Sequence, residues 1–99
     1  MRVSNIINNN GNTVANQFVI RDRNNLTFQS YTSIIFIFDY DAQTITFGRN
    51  WDYSRTTMKH LQTALNEIGI TRQNSKSIYK SINSGLIDCF KCVYDEDLR

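Results

Sequence analysis

The chain has 99 residues, 40% of them hydrophobic, with a formal net charge of +2, no proline and two cysteines. That describes one domain, 1–99, with a single modest core, too near charge balance to mark a nucleic-acid binder by charge alone. No apolar run approaches the ~20 residues that span a bilayer, the N-terminus lacks the apolar stretch of a secretory signal, and two cysteines do not make a disulfide scaffold.

Residues 1–16 contain Asn8-Asn9-Asn10-Gly11-Asn12, side chains that compete with the backbone for hydrogen bonds, and read as a flexible leader or a loose first hairpin. Strands are predicted over Gln17 to Arg21 and Leu26 to Tyr31, joined by Asp22-Arg23-Asn24-Asn25 as a turn. Ile34 to Phe38 is apolar on both faces and reads as a central strand with a helix on one side and a further covering, such as a partner, on the other. Tyr40 to Gln43 turns the chain into a strand over Thr44 to Phe47.

The stretch Gly48 to Thr57 leads into a helix capped by Asp52 or Ser54, with Met58, Leu61, Ala64, Leu65 and Ile68 as its apolar stripe and Gly69 as its stop. A second helix is predicted from about Arg72 to Asn83, ended by Gly85. Leu86 to Val93 reads as a short strand or turn, and 94–99 as a frayed acidic tail. The expectation is an α+β fold, a three- to four-stranded antiparallel sheet followed by two helices and a short cysteine-containing C-terminal segment.

Three groups of residues carry possible chemistry. Cys89 and Cys92 have the two-residue spacing that aims two sulfurs at one tetrahedral metal, and His60 is the sole imidazole, so a structural zinc held by Cys89, Cys92 and His60 is one reading. The plain alternative is a surface histidine and two small apolar thiols; a thioredoxin-like role is disfavoured because the pair lies past the last helix. Trp51, Tyr53 and Tyr31 form either a recognition surface or the packing of a helix start onto the sheet. Arg72, Lys76 and Lys80 make a ridge that is either a phosphate contact or a solvated face. No phosphate-cradling glycine loop and no nucleophile elbow are present, which argues against an enzyme.

The segments Phe28-Gln29-Ser30-Tyr31-Thr32-Ser33 and Thr44 through Lys59, with the core Trp51-Asp52-Tyr53-Ser54-x-Thr56-Thr57-x-Lys59, resemble a family of small phage and prophage proteins over roughly Phe18 to Ile70. With the cysteines and His60 added, the chain looks like the streptococcal phage type II anti-CRISPR proteins. The resemblance implies a Cas9 inhibitor acting in the host bacterial cytoplasm by protein-protein contact on target-DNA loading or cleavage. Its contacts would be Arg49, Arg55, Lys59, Arg72, Lys76 and Lys80, with Trp51 and Tyr53 as anchors. Mimicry of DNA is disfavoured, because a mimic should be strongly acidic. Two other classes stay open: a nucleic-acid-binding or regulatory module, and an assembly module that self-associates through Ile34, Phe36 or Phe38.

Overall fold

The computed structural model describes residues 1–99. Seven strands form one mixed sheet and two helices cover one of its faces, so the expected three- to four-stranded sheet is corrected to seven strands within an α+β fold. In chain order the elements are β1 (Arg2–Ile7), β2 (Thr13–Arg21), β3 (Asn25–Ser30), β4 (Ser33–Asp39), β5 (Thr44–Gly48), α1 (Arg55–Asn66), α2 (Ser75–Ser84), β6 (Leu86–Ile87) and β7 (Phe90–Asp95). The sheet order is β1-β2-β3-β4-β5-β7-β6, with every pairing antiparallel except β5 to β7.

The departures from the sequence reading lie at the two ends. The asparagine run is the turn of a first hairpin: Asn8 Oδ1 accepts from the Asn10 and Asn12 amides, each at 3.0 Å, which places β1 against β2 instead of leaving a loose leader. At the other end, β7 runs to Asp95 parallel to β5, and the Leu98 carbonyl accepts from the Arg49 amide at 2.8 Å. The acidic tail is therefore tied to the end of β5.

Cross-strand partners share a face, and the register separates the two sides. Leu26, Phe28, Phe36, Phe38, Ile45 and Phe47 point towards the helices and are buried. Leu61, Ala64 and Leu65 of α1 and Ile78 of α2 complete the same core. Between Phe28 and Gln29 the register slips, so that Ile35 and Phe36 are buried in succession; this bulge turns an extra side chain inward. The opposite face presents half-buried Ile20 and Ile37 beside Thr27 and Thr46 and has no second layer. Phe36 and Phe38 lie under the helices, which corrects the self-association surface expected to use them.

α1 packs over the β1 and β3 side of the sheet and α2 over β6 and β7. Ser54 caps α1 by accepting from the Thr57 amide at 3.1 Å. α2 begins later than the sequence suggests, at Ser75, because Asn74 and Ser77 form a reciprocal box: Ser77 N to Asn74 Oδ1 and Asn74 N to Ser77 Oγ, each 2.9 Å. Its end at Gly85, with φ 82, is a left-handed cap that glycine adopts without steric cost.

Candidate functional site

The β5–α1 connection is built from two successive turns, Trp51 N to Gly48 O and Tyr53 N to Asn50 O, both 3.2 Å. They send alternate residues in opposite directions. Trp51 is driven inward to 4% exposure, its ring 6.0 Å from Phe47 and 6.5 Å from Tyr79 of α2, so an aromatic chain runs from the sheet through Trp51 to the second helix. Tyr53, at 79% exposure, is left on the surface. Of the two expected anchors, Trp51 is therefore core packing and Tyr53 alone is accessible.

Three shallow grooves meet at this loop, and Asp52 borders all of them. Arg49 lines one with Tyr79 and Tyr94; Arg55 and Lys59 line a second between the starts of α1 and α2; Lys76 and Lys80 line a third beside Tyr79. Arg72 stands apart from them, in the interhelix loop at φ 57. The molecule's one ion pair is Arg21 with Glu67, at 2.8 Å on the far end of α1, so these five cations around the loop have no carboxylate partner. Neither helix has an acidic residue in its first turn, so Asp52 is the one carboxylate bordering the groove between their positive ends.

The metal reading fares differently. No three of the histidine, cysteine, aspartate and glutamate side chains are gathered as a metal-binding group. His60 sits on α1, whereas Cys92 is buried in β7 beneath α2 and Cys89 is exposed in the preceding turn. Burial pushes the Cys92 thiol up to about 11. Partial burial, and then the charge of Lys59, hold His60 below the ordinary imidazole value. The three residues are thus not brought together as a metal-binding group.

A direct consequence is expected in thiol chemistry. At pH 8 a thiol reagent should label Cys89 in the native chain and leave Cys92 untouched until denaturant is added; rapid labelling of both would contradict the burial of Cys92. Because the folded pKa of Cys92 is raised, its contribution is present below the unfolded value of 9.0 and is lost as pH climbs through about 11. Wild type should therefore lose more stability than Cys92→Ala across that window.

On the other side of the loop lies a cavity of about 550 Å³ that the sequence reading did not anticipate. Its wall comes from four separated segments: Gln17 of β2, the β3–β4 turn with the start of β4, Asn50, and the start of α1 with Tyr53. Ile35 reaches it through the β4 bulge. The only sequence hint was Gln17, a polar residue two positions before Val19 on the inward side of a strand.

Residues 1–81 match the model of a protein family described as a family of unknown function, DUF8033. The chain belongs to that family. No curated protein and no solved structure matches it. The DUF8033 match takes in the antiparallel strands β1–β5, α1, the β5–α1 loop and α2 as far as Ser81, and stops before β6 and β7. Both the basic grooves and the cavity thus fall almost wholly within the family's extent, while the two cysteines fall outside it. No helix of this DUF8033 chain is long and apolar enough to cross a membrane.

Proposed function

We propose that the protein acts by binding and not by catalysis, and that its contact surface is the set of grooves around the β5–α1 loop. The observation that carries this reading is the group of five unpaired cations, Arg49, Arg55, Lys59, Lys76 and Lys80, disposed about one rigid turn. Such a surface suits an acidic protein patch, with the cations steering encounter and Tyr53 and Tyr79 supplying exposed aromatic area at the rim. The resemblance to anti-CRISPR proteins makes Cas9 the partner to try first, with target-DNA loading or a later cleavage step as the process blocked.

The decisive experiment is cleavage of a matched DNA target by Cas9, titrated with this protein and read beside target binding. Loss of both points to inhibition at loading; loss of cleavage alone points to a later step. The variant Arg55→Glu/Lys59→Glu/Lys76→Glu is expected to inhibit at least tenfold less well and with a flatter salt dependence, at unchanged melting temperature, since all three residues are surface cations without partners. No inhibition of any of several Cas9 orthologues would discard Cas9 as the partner. A second reading, contact with a nucleic-acid backbone, rests on the two helix N-termini, neither with an acidic residue in its first turn, that border the Arg55 and Lys59 groove. DNA retention that falls steeply with salt, in the absence of any protein partner, would favour it.

A further inference from the structure

The cavity beside the α1 N-terminus has a composition unlike the rest of the surface. None of the side chains around it is charged, although a fifth of the chain is. The molecule has three buried polar residues, Gln17, Ser30 and Thr57, and all three border this one space. Gln17 is 2% exposed, and its Oε1 is the sole buried side-chain oxygen or nitrogen in the protein without a hydrogen-bond partner. A buried amide oxygen left unpaired is destabilising, and such orphans call for an explanation. At the mouth stand Tyr31, 62% exposed, and Tyr53, 79% exposed. Tyr31 holds φ 53, an uncommon left-handed conformation for a bulky residue, and its amide is fixed by a 2.7 Å bond to the Asn16 carbonyl.

We infer that this cavity is a binding site for a neutral saccharide. The Gln17 amide carries an acceptor and a donor, and neither makes a hydrogen bond within the chain, so a ligand that both donates and accepts matches it. No cation lines the cavity to meet a phosphate or carboxylate, whereas each sugar hydroxyl is neutral and both donates and accepts. Rotation about the last torsion of Gln17, which is broad for an amide, exchanges which of Oε1 and Nε2 faces the cavity, and a hydroxyl can meet either. On the opposite wall, Ser54 accepts from the Thr57 amide and donates to Thr57 Oγ1 at 3.1 Å. The Thr56 amide, in the first turn of the helix, has no acceptor within the chain and can donate to a hydroxyl oxygen. Exposed tyrosine faces suit the flat C–H face of a pyranose ring, and the volume lies within the range of ordinary ligand pockets. The absence of lining charge excludes recognition of a sugar acid or a phosphorylated sugar.

The site shares Tyr53 and Ser54 with the partner surface proposed above but faces the other side of the loop, and Gln17, which belongs to the cavity alone, tests it separately. Amide correlation spectra of the full chain would be recorded with neutral oligomers of glucose, galactose, mannose and N-acetylglucosamine, and with adenosine and inorganic phosphate as the competing chemistries. A saccharide should give saturable shifts confined to Gln17, the Ser30–Ser33 turn and Asn50–Thr57. Tyr53→Ala, which removes only an exposed ring, should weaken that binding at least tenfold without changing the melting temperature. Gln17→Met should weaken it by a similar factor while raising the melting temperature, because the orphan is then gone. Shifts caused by adenosine or phosphate alone, by none of the probes, or a Gln17→Met chain that binds as well as wild type would each overturn the assignment.

Discussion

Phe36→Ala is expected to cost about 3–5 kcal/mol of unfolding free energy, the largest effect of any core truncation in this chain. Phe36 is fully buried at the centre of the sheet, between Phe28 of β3 at a ring separation of 5.9 Å and Phe47 of β5 at 6.0 Å. Removing it opens a void that touches both flanking strands and breaks the aromatic chain that ends at Trp51 and Tyr79. The loss follows from the missing transfer energy plus the cavity, since residues fixed in a sheet collapse poorly into the gap. Urea unfolding would measure it, with Ile37→Ala as the comparison. Ile37 is adjacent in sequence but faces the uncovered side, and its truncation should cost markedly less. Equal costs for the two would mean that the helix side is not the core.

Gly48→Ala is expected to be nearly as damaging for a different reason. An added Cβ at this position would sit 2.6 Å from the Ile34 carbonyl oxygen and 2.7 Å from the Leu98 carbonyl oxygen. Both neighbours are backbone, so no side-chain rotation relieves the contact, and either β4 or the C-terminal turn must move. The weaker restraint is the turn, held through Arg49 N to Leu98 O. The substitution should therefore release the last residues first, seen as loss of hydrogen-exchange protection at the Arg49 amide, together with about 1–3 kcal/mol of stability, the usual cost of overpacking. Retained protection at Arg49 with an unchanged melting temperature would show that the close approach is not real.

The parts of this architecture that could be read from the sequence are those whose signal is local. The alternation of Leu26-Thr27-Phe28-Gln29-Ser30, the apolar stripe of α1 and the cap at Ser54 each mark an element by its own residues. β1 escaped because it buries only Ile6 of its six residues and so shows no period. β7 escaped because its place beside β5 depends on a parallel pairing across the whole helical segment, which leaves no trace in neighbouring residues. The site was legible to the same extent. Of the cations around the loop, Lys76 and Lys80 can be read from their spacing on the second helix, whereas Arg49, Arg55 and Lys59 enter only through the resemblance. For Trp51 the sequence leaves recognition surface and packing both open, because an exposed and a buried tryptophan look alike until the Gly48-to-Trp51 turn is known. The cavity had no contiguous motif at all, being assembled from β2, the β3–β4 turn, Asn50 and α1.

The parallel seating of β7 also sets an order of events during synthesis. β1 through β5 form a meander in which each strand pairs with the one just made, so these contacts close short loops and can form as the chain emerges. β5 differs, for one of its edges has no neighbour until residues beyond Phe90 have been translated. Until then the nascent protein exposes an open strand edge, Thr44 to Gly48, next to the very loop that carries the basic grooves. A ribosome paused in α2, or a chain cut after it, would thus release a meander with a sticky margin, and the last ten residues serve as the seal that makes the finished molecule safe to accumulate.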